Sequence, residues 1–434
     1  MSEQKPRILV VGDALYSVTG LAYVAGYMTK LFLESELFSD VGYFTLTSDF
    51  VNIPKEKFKA IDEPEKYYEN LRLFNTYYEN LLESFDKAIE QFRPHIIFSV
   101  SDPWMTEPIA HSKYRPSYCW IAYTTVEVPE YSNKIYNPSV VFKNQNYKNI
   151  LENLVLADSV ISVTKQGIEA LKNITHSTIK LDNLYEENIY NGIEIEKRNT
   201  EQYQKSQLFA GMCKDNDFIF MVLGANTERK KLDQSILAFS KFLKKVNNPK
   251  KYKLYIYTNS FSSLGGTDLV QVAMNENVLP YLLGNKATTV VPKHEIYKYY
   301  NVCDCILNFS GGEGFGYSIA EGMLHEKPII YLDYGGPSEY AYHGGLPVKV
   351  GNYVYAMRWG IQWGLPNLDS ASDQMVKIAK DENVRKNLGK TGYEWAKNNL
   401  DWEVLKYKLY NAIFSVYDNL DNKVLLGKEI KRIV

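Results

Sequence analysis

Apolar residues come along this chain in two rhythms. Short uninterrupted runs of strand length (Ile8-Leu9-Val10-Val11, Ile96-Ile97-Phe98-Ser99-Val100, Phe218-Ile219-Phe220-Met221-Val222-Leu223, Ile329-Ile330-Tyr331-Leu332) alternate with longer stretches whose apolar residues recur every three or four positions. The first rhythm predicts strands covered on both faces and the second predicts amphipathic helices. Strands are expected over residues 7–11, 41–46, 96–100, 118–123 and 159–163, with helices over 21–35 and about 65–92. The pattern breaks around Asn191-Gly192-Ile193-Glu194, crosses a polar, charged stretch over 196–206, and starts again. The second round predicts strands over 218–223, 252–257, 288–291, 303–308 and 328–331, helices over 232–246 and 320–324, and a helical turn over 296–300. A tail over 401–434 carries Trp402, Leu405, Leu409, Ile413 and Val416 near helical spacing. Such alternation is the mark of the α/β class: two doubly wound parallel sheets in tandem, whose carboxyl edges are the default place for a ligand. The expected division is a first domain over 1–195, a second over 196–400 and a helical segment over 401–434.

Composition sharpens this only in places. The 434 residues are 45% apolar, enough for two cores. Four cysteines (Cys119, Cys213, Cys303, Cys305) form no Cys-x-x-Cys pair and no Cys/His set with zinc spacing, so buried free thiols in a reducing compartment are expected. Residues 1–7 are polar and lead straight into a strand, and no apolar run reaches membrane-spanning length, so a cytoplasmic protein without a transmembrane segment is expected. The net charge of −2 hides an asymmetry. Residues 1–195 hold 18 Lys/Arg and 26 Asp/Glu, net −8, whereas 196–434 hold 31 and 25, net +6. The second half therefore suits an anionic ligand, while its short, scattered lysine clusters form no nucleic-acid stripe.

Chemistry concentrates at two places in that second half. Glu313-Gly314-Phe315-Gly316-Tyr317-Ser318-Ile319-Ala320-Glu321 follows a strand and opens a helix, with Glu313 in the glycine-rich turn and Glu321 about two helical turns on, roughly on the same face. A helix N-terminus at the carboxyl edge of a parallel sheet favours phosphate or electron-rich hydroxyls. Acidic first turns also serve as plain helix caps, which is the competing reading. The second place is Gly224-Ala225-Asn226-Thr227-Glu228-Arg229-Lys230-Lys231, three cations at the end of the first strand of the second half. A diphosphate needs such a concentration of positive charge, although a solvated basic turn would look the same in isolation. In the first half Asp102 and Glu127 lie just past strand ends, where either could line an acceptor or serve as a cap or surface charge.

Together these segments resemble the retaining family 4 glycosyltransferases of the GT-B fold, over most of the chain. The counterparts are Gly224, Arg229 with Lys230, Ala238-Phe239, the segment from Tyr297 to Asp304, Ser310, the E-x7-E pair Glu313 and Glu321, Gly322-Met323, Lys327-Pro328-Ile329-Ile330 and Gly335-Gly336-Pro337-Ser338-Glu339. Thr19-Gly20 resembles the glycine loop of the family's first domain, Val163-Thr164 a strand end, Asn191-Gly192-Ile193-Glu194 its linker, and Trp402 the start of its final helix. Three positions depart from the family pattern. Ala225 stands where an arginine is commonest, Tyr123-Thr124-Thr125-Val126-Glu127 lacks the histidine that many members carry, and Glu326 stands where glycine is usual.

The resemblance implies two Rossmann-like doubly wound domains facing a central cleft, an acceptor domain first and a nucleotide-sugar donor domain second, with C-terminal helices returning to the first. It implies transfer of a hexosyl group with retention from a nucleoside-diphosphate sugar, which is a substrate rather than a cofactor. Glu313, Arg229 and Lys230 would be catalytic, Glu313 lying against the sugar ring while the two cations neutralise the departing diphosphate. Glu321 would accept from the ribose hydroxyls, Phe315, Gly316 and Tyr317 would offer backbone N–H groups, and Gly20 would let backbone approach the diphosphate. No Asp-x-Asp motif lies in a loop suited to a metal, so no metal is expected. A GT-B-like nucleotide-sugar epimerase and a non-catalytic sugar-nucleotide-binding protein are the alternatives. The acceptor, whether carbohydrate, lipid or protein, depends on loops over 49–65, 102–114 and 127–147 that carry no readable motif.

Overall fold

The computed structural model describes residues 5–17, 19–46, 66–67, 70–74, 80–129, 150–173, 180–262, 266–286, 293–355 and 361–422. They fall into two compact units, one drawn from Met1–Val126, Ser132–Asn191 and Leu405–Val434, the other from Glu127–Tyr131 and Gly192–Val404.

The first unit holds a parallel sheet of β1 (Arg7–Gly12), β2 (Asp40–Thr45), β3 (Leu71–Phe74), β4 (Ile96–Val100), β5 (Cys119–Thr124) and β6 (Ser159–Ser162), in the order β3-β2-β1-β4-β5-β6. Every residue of β4, β5 and β6 is buried. This is why the sequence shows runs rather than alternation there: both faces of a doubly wound sheet are covered. Helix Gly20–Glu34 starts where the Thr19 hydroxyl accepts from the Ala22 N–H at 3.0 Å, and helix Leu81–Phe92 where Asn80 accepts from the Glu83 N–H at 3.1 Å. The latter buries Phe85, Ala88, Ile89 and Phe92, the stripe that its spacing dictates. The single helix expected over 65–92 is corrected: β3 interrupts it and pairs with β2 from Val41↔Leu71 to Phe44↔Phe74. Residues 405–418 of helix Trp402–Asp418 belong to this unit and bury Leu405, Leu409, Ala412 and Ile413, with the Tyr410 hydroxyl donating to the Leu31 carbonyl at 2.9 Å.

The second unit repeats the plan with β7 (Phe218–Leu223), β8 (Tyr252–Thr258), β9 (Leu282–Lys286), β10 (Cys305–Asn308), β11 (Ile329–Leu332) and β12 (Gly345–Val348), in the order β12-β11-β10-β7-β8-β9. The strand expected over 288–291 lies outside the described residues, and β9 is the edge strand beside β8. An antiparallel ribbon of β13 (Val350–Tyr355) and β14 (Gln362–Pro366), unforeseen in the sequence, stands apart from the main sheet. Helix Leu232–Leu243 packs Ile236, Phe239 and Phe242 on the sheet, and helix Leu368–Lys380 adds Ala371, Met375 and Ile378 to the same core. The linker is anchored within this unit. A Cβ on Gly192 would lie 2.2 Å from the Trp402 ring, and the Ile193 N–H donates to the Leu400 carbonyl at 2.7 Å.

In each sheet the chain starts in the middle, builds strands to one side, then returns to build the other. This makes the gap between β1 and β4, and between β7 and β10, the point where the winding direction reverses. Loops leaving the carboxyl ends of such a pair diverge and leave a crevice for a ligand.

Candidate functional site

At the reversal point of the second unit, the loop after β7 carries Arg229 and Lys230, and the loop after β10 carries Glu313. The sequence-predicted groups meet there. Arg229 donates through Nη1 to the Gly312 carbonyl at 2.7 Å and to Glu313 Oε2 at 3.0 Å, while the Lys230 ammonium donates to Glu313 Oε1. Two further bonds fasten the same two loops: the Gly311 N–H donates to the Arg229 carbonyl at 2.8 Å, and the Ser310 hydroxyl lies 3.3 Å from that carbonyl. Arg229 Nε also lies 3.1 Å from Glu127 Oε1. Glu127, read in the sequence as an acceptor-side residue of the first half, belongs to the second unit and opens the short segment that clusters there.

Only glycine fits beneath this cluster. A Cβ on Gly335, whose φ is +79°, would lie 2.8 Å from the Glu127 carbonyl oxygen and 2.9 Å from that of Glu313, and one on Gly312 would lie 2.9 Å from the Glu127 carbonyl oxygen. The Gly336 N–H donates to the Glu313 carbonyl at 2.8 Å. The Gly335-Gly336-Pro337-Ser338-Glu339 segment thus acts as a floor under the acidic loop.

Burial pushes the Glu313 carboxyl up, but the charges and hydrogen bonds of Lys230 and Arg229 outweigh it and hold it down at about 2. It is ionised at neutral pH. Burial lowers the Lys230 ammonium, partly offset by Glu313, and burial raises the Glu127 carboxyl, with Arg229 opposing and Glu313 adding to the rise.

Helix Tyr317–Leu324 follows, with Gly316 at its N-cap in the left-handed region at φ +87°. The Tyr340 hydroxyl donates to the Phe315 carbonyl at 2.6 Å, which fixes the turn. Glu321 is buried in this helix, and its Oε2 accepts from the Tyr300 hydroxyl at 3.0 Å. Burial and Glu321 push the Tyr300 phenol far up, so it remains the donor. His325 caps the helix with Nδ1 2.8 Å from the Glu321 carbonyl and its ring stacked on Tyr300 at 5.2 Å. Since a carbonyl oxygen only accepts, Nδ1 carries the hydrogen, and burial lowers the ring to about 4, keeping it neutral. Tyr300 and His325 were not singled out as site residues in the sequence; their only signal was membership of the segment before β10 and of the helix end. Glu326, where the resembled family has glycine, sits at φ +54° and pairs with Arg198 at 2.8 Å.

In the first unit, Gly20 opens its helix after β1, and the Thr19 hydroxyl donates to Asp13 Oδ2 at 2.6 Å. Asp102 follows β4 and accepts from the Thr125 hydroxyl at 3.4 Å. Both lie at that unit's own reversal point. Among the described residues no group of three or more His, Cys, Asp or Glu side chains could hold a metal ion. The Asp215-Asn216-Asp217 triplet is structural: Asp215 accepts from the Ser206 N–H and Asp217 from the Lys214 N–H, each at 2.9 Å. All four cysteines are free and buried. Among the described residues no helix is long and apolar enough to cross a membrane.

Residues 204–395, which contain Arg229, Lys230, Glu313, Tyr300 and Glu321 but not Glu127, Asp102 or Gly20, match the family described as Glycosyl transferases group 1. The second unit thus carries a segment similar to the glycosyl transferases group 1 family. An uncharacterized glycosyltransferase of Methanocaldococcus jannaschii is 24% identical to the chain over 280 residues, a match spanning 61% of the length of each. Among solved structures, Anabaena HepE in complex with UDP-glucose superposes with a TM-score of 0.69 at 15% identity, over 94% of this chain and all of that one. Sucrose-phosphate synthase from Thermosynechococcus elongatus gives a TM-score of 0.66 at 16% identity, over 94% of this chain and 99% of that one. These likenesses establish the two-domain, Rossmann-like GT-B fold. Within the matched segment, Glu313 lies in the loop after β10 and Glu321 in the helix that this loop leads into.

Proposed function

We propose that this chain is a retaining, metal-independent glycosyltransferase that takes its sugar from a nucleoside-diphosphate sugar. The observation that carries the reading is the convergence of Arg229 and Lys230 from one loop on Glu313 from the next, at the reversal point of the unit that carries the group 1 match. Two fixed cations there neutralise the charge that develops as a diphosphate leaves, the task that a metal ion performs in other transferases. Helix Tyr317–Leu324 begins four residues after Glu313, and its N-terminal dipole would add to that stabilisation. Glu313, ionised between its cations, lies against the donor ring and stabilises the oxocarbenium-like transition state. Glu321, oriented by Tyr300, accepts from the ribose hydroxyls. Phe315, Gly316 and Tyr317 offer backbone N–H groups to the sugar or distal phosphate, and Gly20 lets backbone approach the diphosphate. A structural relative holds UDP-glucose, which makes a UDP-hexose the first donor to try.

The test is release of nucleoside diphosphate from UDP-glucose, UDP-N-acetylglucosamine and GDP-mannose, with and without acceptor sugars and with excess EDTA. Expected are turnover that survives chelation and, from an α-donor, a product whose anomeric proton coupling is that of an α-linkage. A β-linked product overturns retention, and activity abolished by EDTA and restored by Mg²⁺ or Mn²⁺ overturns metal independence.

A further inference from the structure

Glu127 is the one carboxylate of the clamp that stands outside the group 1 segment, and its position has a consequence for what the clamp must do on binding a diphosphate. Glu127, Glu313, Arg229 and Lys230 form a quartet whose formal charges cancel. Glu313 meets both cations, and its side chain is only 9% exposed. Glu127 meets one, Arg229 through Nε at 3.1 Å, and its side chain is 23% exposed. The charged groups facing Glu127 are Arg229, Lys230 and the like charge of Glu313. A bound diphosphate would draw on the same two cations and leave the cluster with excess negative charge in a half-buried place. Such a site relieves the excess most cheaply by neutralising the carboxylate that is least compensated and still within reach of water.

We propose that Glu127 takes up a proton from solvent when a nucleoside diphosphate sugar occupies the clamp, so that donor binding is coupled to protonation of this one side chain. The inference rests on the donor-binding reading above. In the empty site Glu127 is a counter-ion that holds Arg229 in place; in the occupied site it is a neutral acid that no longer competes with phosphate for the guanidinium. That its carboxyl is already raised by burial and by Glu313 fits this role.

The experiment is titration calorimetry of the full chain with UDP-glucose near pH 6.5, in buffers of widely different ionisation enthalpy. UDP-glucose is a diphosphate diester without a phosphate proton that titrates near neutrality, so a buffer-dependent enthalpy reports the protein's own proton uptake. Expected is a fractional uptake per site that declines as pH rises and disappears in Glu127→Gln, which should bind roughly 3- to 10-fold more tightly near pH 8 because one like charge is gone. Binding whose enthalpy is the same in every buffer overturns the proposal with the wild type alone, whatever the fate of the variant. Uptake that persists in Glu127→Gln, checked for a wild-type melting profile, overturns it as well. Absence of binding heat with UDP-glucose, GDP-mannose and ADP-glucose overturns the donor-binding reading itself, and the proposal with it.

Discussion

Arg229 and Glu313 stand 84 residues apart in the chain and 3.0 Å apart in the fold, guanidinium to carboxylate. The contact joins the loops that leave β7 and β10. It also makes the acidic group of the site the structural keystone of its basic groups. A buried carboxylate between two cations is strongly favoured over a lone buried charge, so neither side of the pair can be removed without leaving the other exposed to its desolvation cost.

That coupling predicts a pH-dependent stability. The Glu313 carboxyl is held at about 2 against an ordinary 4.5, so folding favours its ionised form. The contribution, about 3 kcal/mol at ~1.4 kcal/mol per unit, is fully present above the unfolded value and is lost as pH falls through the folded one. Urea unfolding of wild type and Glu313→Gln should show a stability gap at neutral pH that shrinks by more than half by about pH 3. A gap of constant size across that range would mean the carboxylate is not held ionised by its neighbours.

The cations give the complementary prediction. Replacing Arg229 and Lys230 together by alanine should weaken nucleoside-diphosphate binding by roughly 2–4 kcal/mol, the loss of charge-assisted hydrogen bonds. The same double variant strands Glu313 and should melt at a lower temperature than wild type. Adding Glu313→Gln removes the stranded charge, so the triple variant should recover melting temperature without recovering nucleotide affinity. Recovery of both by the third substitution would show that the double variant lost binding only by unfolding the loop.

How far these groups could be read in advance follows from the range of the interactions involved. The central strands were visible because burial on both faces makes them unbroken apolar runs, and the acidic and basic segments because each is local and punctuated by glycine. β3 was not. Its Leu71-Arg72-Leu73-Phe74 alternates over too few residues to compete with the longer helical pattern around it, and pairing with β2 decides its state. The ribbon of β13 and β14 escaped for the same reason: short strands with tyrosine and glycine, stabilised by cross-strand pairs such as Val354↔Trp363. The partnership of Glu127 with Arg229, and of Tyr300 with Glu321, is set by tertiary packing between segments distant in the chain, for which a single sequence carries no periodic signal.

The hydroxyl of Tyr300 offers a kinetic test of the role given to Glu321. If Glu321 holds the ribose, its contact is equal in ground and transition states, and weakening it should raise donor KM while leaving kcat within a few-fold. Glu321→Gln should raise KM the more. Tyr300→Phe, which removes only the 3.0 Å bond that orients the carboxylate, should raise it less and in the same sense. Glu313→Gln should instead depress kcat. Steady-state kinetics on the three variants checks the division, and a kcat-only defect in Glu321→Gln would reverse the assignment.

Two glycines of nearly equal φ set an open position against a packed one. Gly211 has φ +78°, where alanine incurs a left-handed penalty of about 1 kcal/mol, whereas Gly335 combines φ +79° with ψ −167°, a region essentially confined to glycine where alanine is strained further. They differ in surroundings too. Nothing lies within 4 Å of a Cβ built on Gly211, whereas at Gly335 it would lie 2.8 Å from the Glu127 carbonyl oxygen and 2.9 Å from that of Glu313. Backbone oxygens cannot swing aside as a flexible side chain can, so Gly335→Ala must displace the acidic loop or the segment beneath it. Chemical denaturation should therefore find Gly211→Ala destabilised by about 1 kcal/mol with donor affinity intact. Gly335→Ala should lose at least about 1–3 kcal/mol more, the range for overpacking, together with much of its nucleotide affinity because Glu313 and its cations move with the loop. Equal destabilisation of the two variants would show that the floor under Glu313 yields freely and that the clamp does not depend on it.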